Sequence, residues 1–299
     1  MASTRNVPPV DSLVIRPLDS LAEYKAAERL QQEVWGYDDI TVIPLPQLMT
    51  AAKFGGLCLG VFDGPRLVAF VYGFVGLKDG RPIHVSQRMA ALPEYQNRGL
   101  GERLKRAQRD HILRQGLSWA RWTYDPLETR NAHLNLVKLG GIARAYVADL
   151  YGPITGHINE GLPTDRFEVE WHVRSRHVAA ALAGRHPVRE TPEVDPGALL
   201  TRAEPREGGF VAPEGLNDLP GRAEGVWYVE APSDIQAIKQ KDGALALDWR
   251  LVLRRAFQGL FERGFAATGV VRFEGGRRVA YRVEPFAALD LRDAEDLPR

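Results

Sequence analysis

The feature that most constrains this chain is a glycine-containing junction between a strand pattern and a helix pattern. Residues 82–92, PIHVSQRMAAL, read as a strand, and residues 99–115 carry apolar residues at helical spacing. Between them lies the stretch EYQNRGLGE, residues 94–102. A strand that passes through so short a turn into a helix predicts that the helix packs back onto a sheet.

Composition limits the class of protein. The 299 residues are enough for one large domain or two ordinary ones, and 44% hydrophobic with 26% charged residues is typical of a globular chain. A net charge of +1 predicts no nucleic-acid and no membrane partner. The single Cys58 and the absence of HxxxH or HExxH spacing predict no metal site. With no cationic-then-apolar leader and no apolar run near ~20 residues, we expect a cytoplasmic protein.

The N-terminal part alternates between strand and helix patterns. A strand at 12–17 precedes a helix capped at Asp19-Ser20 and running to Trp35, and PLPQLMTAAKF predicts a second helix. Asp63-Gly64-Pro65 separates the two strands of a hairpin. After the strand LSWARWTY, Asp125 is predicted as the N-cap of a helix that ends at Gly140-Gly141. Two strands, IARAYVADL and FEVEWHV, follow.

The C-terminal part changes character. Six prolines punctuate residues 176–222, which we interpret as a Pro/Gly-rich connection with little regular structure. Residues 223–290 then carry a strand, a long amphipathic helix at 243–262 and a hairpin around Glu274-Gly275-Gly276. The predicted organisation is a first domain at 12–175, this connection, and a C-terminal α+β region that packs on the first domain.

The junction has a physical capacity to hold a phosphate. Amides at a helix start lack partners inside the helix, the helix dipole adds partial positive charge, and glycines allow close approach. The stretch matches neither the nucleotide triphosphate loop nor the dinucleotide fingerprint. On spacing alone, a tight turn that only packs the helix on the sheet is the favoured interpretation.

The residues also carry a family resemblance. Gln96-x-x-Gly99-x-Gly101, preceded by Ala91-Leu92-Pro93, resembles the acyl-CoA-binding signature of the GNAT N-acetyltransferase superfamily. The element order over roughly 12–175 is similar, and WTYDPLETRNAHLNLVKLGG resembles an uncharacterised bacterial branch of predicted acetyltransferases. The resemblance implies an α/β fold with a GNAT-like mixed central sheet flanked by helices, followed here by a C-terminal α+β extension.

The resemblance implies roles for specific residues. Acetyl-CoA, or another acyl-CoA, would be the cosubstrate, with its pyrophosphate on the loop amides and its pantetheine arm along the preceding strand. The loop residues are Gln96, Asn97, Arg98, Gly99, Leu100 and Gly101; the strand residues are Met89, Ala90 and Ala91. A strand amide there would also face the thioester oxygen. Asn131 would lie near the pantetheine end.

The chain departs from the family at the catalytic acid. The tyrosine that usually protonates the leaving thiolate aligns with Leu136, which has no proton to donate. Tyr124, at the end of the next strand, is the nearest equivalent donor, the alternative being a ring that only packs. Asn131 and His133 complete the catalytic candidates; a surface histidine is the alternative for His133, although histidine suits a general base.

Four residues are candidates for the acceptor side. Arg88 could bind a substrate carboxylate or form an edge ion pair, and the sequence leaves both open. Trp122 could form a wall of the acceptor pocket or pack in the core. Asp125 could contact the acceptor or act only as a helix N-cap. Asn135 lies four residues after Asn131, so both are predicted on one helix face. The basic residues of 103–114, Lys105 among them, are predicted to form a solvated helix face.

The function predicted from these observations is transfer of an acetyl or other short acyl group from acyl-CoA to an amine. The acceptor is expected to be a small molecule rather than a protein, and a homodimer is possible. Two rivals stay open: a tandem GNAT-like aminoacyl-type transferase, and a non-catalytic CoA-binding or sensing protein that lost its acid at Leu136.

Overall fold

A computed structural model describes residues 8–152, 161–190, 194–206 and 209–294. Contacts divide them into two compact units, residues up to 121 and residues from 122 onward. The helices are α1 Leu21–Trp35, α2 Leu45–Lys53, α3 Leu100–Arg114, α4 Thr129–Ala132, α5 Arg176–Leu182, α6 Pro187–Glu190, α7 Ile235–Lys241 and α8 Gly243–Glu262. The strands are β1 Val14–Pro17, β2 Leu57–Asp63, β3 Arg66–Lys78, β4 Arg81–Ala91, β5 Trp119–Tyr124, β6 Ile142–Val147, β7 Arg166–His172, β8 Thr201–Pro205, β9 Val211–Leu216, β10 Trp227–Ala231, β11 Phe265–Phe273 and β12 Arg278–Pro285.

The first unit forms from local signals that the sequence shows plainly. Ser20 caps α1 by accepting a hydrogen bond from the amide of Glu23, and Gly36 ends the helix in the left-handed conformation. The β2–β3 hairpin turns at Gly64, whose φ of 55° suits glycine. These agree with the predicted helix to Trp35 and the predicted hairpin.

The sheet of the first unit has the order β1-β2-β3-β4-β5. Its neighbours are antiparallel except for β4 and β5, which are parallel, so this is a mixed sheet. Helices α1 and α2 contact one face and α3 the other: Gln47 of α2 bonds Tyr72, whereas α3 bonds Ser86. The core lies between them and includes Leu48, Phe70 and Leu104. The predicted α/β class with a mixed, helix-flanked sheet is confirmed.

The second unit begins inside β5 and has the sheet order β7-β6-β11-β12-β10, with β8 and β9 as a separate pair. The pairings between β6 and β7, β11 and β12, and β10 and β12 are antiparallel. Strand β11 joins β6 through Ala267 and Ala143. Helix α8 buries one face, including Trp249, Leu253 and Phe257, and Asp242 caps it at the amide of Leu245. The C-terminal α+β elements are those predicted.

Two local predictions are wrong. Residues 176–222 were expected to have little regular structure, but they contain α5, α6 and the β8–β9 hairpin, because prolines are tolerated at helix starts and in a short two-stranded pair. Helix α4 begins at Thr129 with Glu128 at the N-cap position, not at Asp125. Asp125 instead accepts a hydrogen bond from the amide of Leu127, which closes a short turn before the helix.

The predicted domain limits of 12–175, 176–222 and 223–290 differ from the contact division at 121/122. They stay a prediction about which parts fold independently. Within the described ranges, no helix is long and apolar enough to span a membrane.

Candidate functional site

The loop between β4 and α3 has the backbone that the signature predicts. Asn97 and Gly99 both have positive φ, 57° and 80°, and Gly99 is the N-cap of α3. A Cβ at Gly99 would meet no atom within 4 Å, so the glycine is required by its backbone conformation rather than by crowding. Gln96, Asn97 and Gly99 are exposed. The loop therefore presents an open surface at the start of a helix of 15 residues.

The amides of this surface can receive an anion. The first backbone bond into the helix is from Arg103 to Gly99, so the amides of Leu100 and Gly101 precede it. Such first-turn amides have no carbonyl partner within the helix, and the dipole makes them electropositive. The Leu100 side chain is buried and fixes the helix start. This arrangement can hold a pyrophosphate.

Strand β4 leads into the loop. Among the described residues it pairs with β5 through His84 with Ala120 and Val85 with Arg121. Residues 86 to 91, except Gln87, pair with β3. On the edge of β4 away from β3, these residues pair with no other strand within the described chain. Gln96 donates from Nε2 to the carbonyl of Ala91 at 2.9 Å and ties the loop to the strand end. Met89, Ala90 and Ala91 thus lie directly beside the loop.

The arginines near the loop bond to the N-terminal segment. Arg98 donates from Nη2 to the carbonyl of Pro8 at 2.6 Å, and Arg103 donates to those of Val10 and Leu13. The Arg98 Nη1 atom is buried and makes no hydrogen bond within the described residues. Arg98 therefore lies at the loop as predicted, while the predicted contact with phosphate stays a prediction.

A buried polar cluster lies between β4 and α3. The Lys105 Nζ atom donates to Ser86 Oγ at 2.7 Å, Ser86 donates to Gln108 Oε1 at 3.1 Å, and Gln108 contacts His84 at 3.0 Å. Burial lowers the pKa of Lys105 to about 7. Burial, with smaller effects from Lys105 and His111, lowers the pKa of His84 to about 3. The prediction of a solvated face was wrong for Lys105, which lies on the sheet side of α3 together with Gln108 and Ile112.

The helix of the second motif changes its winding. After α4 the chain continues as a π-helical turn, His133–Lys138, with the amide of Leu139 bonding the carbonyl of Leu134. Asn131 and His133 are exposed, whereas Asn135 is buried. The side chains of Asn131 and Asn135 therefore differ in exposure, and their predicted common face stays a prediction. Leu136, which the sequence resemblance aligns with a catalytic tyrosine, is fully buried.

Two further candidates in the second unit are Trp122 and Tyr124. Trp122 is buried, donates from Nε1 to Asn135 Oδ1 at 3.2 Å, and packs edge-to-face on Trp171. The Tyr124 ring packs on Phe167, and its hydroxyl is buried without a hydrogen bond among the described residues. Burial raises the pKa of Tyr124 well above its ordinary value, while the nearby Tyr281 hydroxyl acts in the opposite direction. These surroundings are those of core side chains.

Asp125 has a partner that the sequence did not reveal. Arg250 of α8 donates to both of its carboxylate oxygens, at 2.8 and 2.6 Å, and the Arg250 side chain is only 1% exposed. The Arg166 guanidinium lies 3.7 Å from the same carboxylate. This buried bidentate ion pair gives Asp125 a structural contact. Its predicted role in binding the substrate stays a prediction. The partner is 125 residues away, so no local signal could have indicated it.

The predicted site residues fall in two groups. Residues 88–91 and 96–101 lie in the first unit, where the structure brings them together, and residues 122–135 lie in the second. Within the second group, Trp122 and Asn135 are joined by a hydrogen bond. In the described part of the chain no group of His, Cys, Asp and Glu is arranged to hold a metal ion.

Comparisons with known proteins give structural neighbours only. No family model and no curated protein matches the chain. Among similar solved structures are the ribosomal-protein-S18-alanine N-acetyltransferase from Escherichia coli and a GNAT-family acetyltransferase from Streptococcus pneumoniae. The first is 15% identical, covers 54% of this chain and 94% of its own, and has a TM-score of 0.42. The second is 18% identical, with coverages of 53% and 97% and a TM-score of 0.42.

A third neighbour comes from Salmonella typhimurium and is described as an acetyltransferase with its cofactor acetyl-CoA. It is 16% identical, covers 54% of this chain and 94% of its own, and has a TM-score of 0.41. These solved neighbours are acetyltransferases, GNAT-family enzymes among them.

Proposed function

We propose that this protein transfers an acetyl or other short acyl group from acyl-CoA to the amine of a small molecule. One observation carries the proposal: a left-handed Gly99 and the first turn of α3 directly follow β4, and among the described residues no strand pairs with the second edge of β4 at residues 86–91. The loop suits a pyrophosphate, and this strand edge offers amides and carbonyls to an extended arm that carries the thioester. The sequence signature Gln96-x-x-Gly99-x-Gly101 supports the same assignment.

The reaction has simple chemical requirements. The acceptor nitrogen attacks the thioester carbonyl, the C–S bond breaks, and the CoA thiolate takes up a proton as the nitrogen loses one. Holding the two substrates side by side supplies much of the gain in such a transfer. A strand amide that stabilises the developing oxyanion contributes about 3 kcal/mol. A thiol with a pKa of ~8.5 is already a tolerable leaving group, so the reaction proceeds without a dedicated acid.

Gly101→Glu tests the acyl-CoA site. The substitution adds a side chain and a negative charge where the pyrophosphate belongs, so we expect acetyl-CoA binding to be lost in calorimetry while the circular dichroism spectrum stays native. Gly243→Glu is the matched control, because Gly243 is an exposed glycine in the first turn of α8 and a Cβ there meets no atom within 4 Å. Equal acetyl-CoA affinity in Gly101→Glu and wild type would sink the assignment.

A second candidate function is favoured by one specific feature. Leu136 is fully buried where the family's acid belongs. A protein that binds acyl-CoA without transferring the group would tolerate this replacement. Saturable acetyl-CoA binding without CoA release, across a broad panel of amines, would favour that second function over the first.

A further inference from the structure

A β-bulge in β4 turns Arg88 to the face opposite Ser86. Gly73 of β3 pairs with Ser86 and Tyr72 pairs with Arg88, which leaves Gln87 as an extra residue. Without the bulge, residues 86 and 88 would point to the same side. Instead Ser86 faces α3 and bonds Lys105, while Arg88 shares its face with Tyr72, whose hydroxyl bonds Gln47 of α2. The bulge therefore aims one cation toward α1 and α2.

Two aromatic rings lie beside the Arg88 guanidinium. The Cζ atom lies 5.8 Å from the ring centroid of Trp35 and 5.7 Å from that of Tyr37. The two rings pack on each other at 5.3 Å, and both are partly exposed. Cation–π contacts at these distances position a guanidinium but leave its N–H donors unsatisfied. Arg88 is thus held in place with its hydrogen-bonding capacity still available.

No acidic side chain pairs with Arg88 among the described residues, and its buried Nε atom makes no hydrogen bond. Three carboxylates on nearby α1 and the segment after it have hydrogen-bond partners other than Arg88. Glu28 accepts from the amide of Leu45, Asp38 accepts from Thr41, and Asp39 accepts from Gln32. The edge ion pair that the sequence allowed is therefore not formed. A half-buried guanidinium without a carboxylate is costly unless a ligand supplies one.

Arg88 directly precedes the strand residues assigned to the acyl arm. With a rise of roughly 3.3 Å per residue, its Cα lies within about 10 Å of those of Met89, Ala90 and Ala91. An anionic group bound by Arg88 would leave an attached amine within reach of a thioester held along this strand. A planar guanidinium matches a carboxylate with two parallel hydrogen bonds.

We propose that the acceptor is an amine that also carries a carboxylate, and that Arg88 binds this carboxylate beside Trp35 and Tyr37. The inference rests on the proposed acyl transfer. It makes Arg88 the residue that selects amino acids and related amino-carboxylates over neutral amines.

The test compares matched acceptors with acetyl-CoA as donor. Each of the standard amino acids, β-alanine and 4-aminobenzoate is paired with its carboxamide. We expect the best carboxylate acceptor to exceed its carboxamide by about 10²-fold in kcat/KM, since an anion-binding group discriminates strongly against an analogue that lacks its partner. The carboxamides of the amino acids have less basic amines, which are more available as free base, so the comparison works against the expected result.

Arg88→Gln should remove this preference. We expect kcat/KM for the carboxylate acceptor to fall about 10²-fold, mostly through KM, and that for the carboxamide to change less than about 3-fold. Arg88→Lys keeps the charge but not the paired donors, so its loss should be intermediate. Arg81→Gln is the matched control, an exposed arginine on the same strand, and should behave like wild type. Acetyl-CoA affinity should be unchanged in all three variants.

Several outcomes would overturn the inference while leaving the proposed function standing. These are acetyl-CoA binding with equal turnover of carboxylates and carboxamides, turnover of phosphorylated amines only, an equal loss for both acceptor types in Arg88→Gln, or no acetylation of any carboxylate in the panel. Failure of wild type to bind acetyl-CoA in calorimetry would instead remove the proposed function, and the inference with it.

Discussion

At the scale of single residues, Tyr124 is the clearest case in which surroundings decide a role. Its side chain is 6% exposed, its ring packs on Phe167 at 5.7 Å, and its hydroxyl makes no hydrogen bond among the described residues. A proton donor must reach the leaving sulfur, and a hydroxyl buried in an apolar cluster is poorly placed for that. The catalytic assignment from sequence stays a prediction, and this placement favours packing.

Tyr124→Phe separates packing from acid catalysis. Because the substitution keeps the ring and removes only a buried hydroxyl, we expect turnover within about 2-fold of wild type. The free energy of unfolding should change by less than about 1 kcal/mol. The measurements are steady-state kinetics with acetyl-CoA and urea denaturation. A fall of ~10²-fold or more in kcat would identify Tyr124 as the acid after all.

The neighbouring Tyr281 provides the control for that measurement. Its hydroxyl donates to the carbonyl of Pro126 at 2.6 Å and is fully buried. Tyr281→Phe leaves that carbonyl without this partner, so it should destabilise the protein by about 1–3 kcal/mol. Comparing the two variants shows whether the denaturation assay distinguishes a hydroxyl that donates to the backbone from one that does not.

At the scale of elements, α3 presents a charged residue to the sheet. Lys105 Nζ bonds Ser86 and is 2% exposed, so its ammonium form has lost most of its hydration. The folded pKa is about 7 and the ordinary value is 10.5. Between these values the unfolded chain binds more protons than the folded chain. Stability therefore rises with pH through this window and is reduced below it.

Lys105→Met should flatten that dependence. We expect the free energy of unfolding of wild type to increase between about pH 7 and 9, with a slope of up to ~1.4 kcal/mol per pH unit, and that of the variant to stay level. The variant should also be the more stable at neutral pH, because a methionine needs no hydration. Urea denaturation at several pH values measures both. Lys25→Met, at an exposed position of α1, is the control and should leave the slope unchanged.

One outcome would contradict the predicted effect of burial on Lys105. If wild type and Lys105→Met show the same slope across this window, the lysine is neutralised by its surroundings in some other way and the burial argument fails. His84 does not affect this comparison. Its pKa is lowered to about 3, so it changes the free energy of unfolding only at acidic pH, where stability falls as pH drops from 6.5.

At the scale of the whole molecule, residues on either side of the Pro-rich stretch belong to one compact unit. Strand β11 pairs with β6, Arg250 pairs with Asp125, and Phe167 packs on Phe257 at 4.6 Å. These contacts join residues before 175 to residues after 223. The second unit is therefore incomplete without the C-terminal elements.

A chain ending at residue 175 should consequently fail to fold its second half. It would lose the partner of Asp125 and expose the aromatic cluster around Phe167, so we expect aggregation and strong binding of a hydrophobic dye. Size-exclusion chromatography and dye fluorescence measure this. A chain ending at residue 294 is the control for loss of a C-terminus. A soluble, monomeric chain of residues 1–175 with cooperative unfolding would instead support the predicted domain at 12–175.

What the sequence could establish by itself was local. Ser20, Gly36 and Gly64 fix the ends of α1 and the β2–β3 turn through contacts between near neighbours, and the periodic apolar residues fix the helices. The β4–α3 loop belongs to this class, because Gly99 acts on its own backbone. For the same reason, the strand–loop–helix junction and its resemblance to an acyl-CoA site could be found without a structure.

Only the tertiary structure decided how the side chains around that junction are used. Plain alternation cannot show the bulge at Gln87 that re-aims Arg88, since a bulge depends on how β3 and β4 pair. Lys105 and Arg106 look alike in sequence, yet only one is buried. Asp125 acquires its partner across 125 residues. The physical reason is common to all three: burial, register and ion pairing are set by segments distant in the chain, whereas caps and turns are set by the residues beside them.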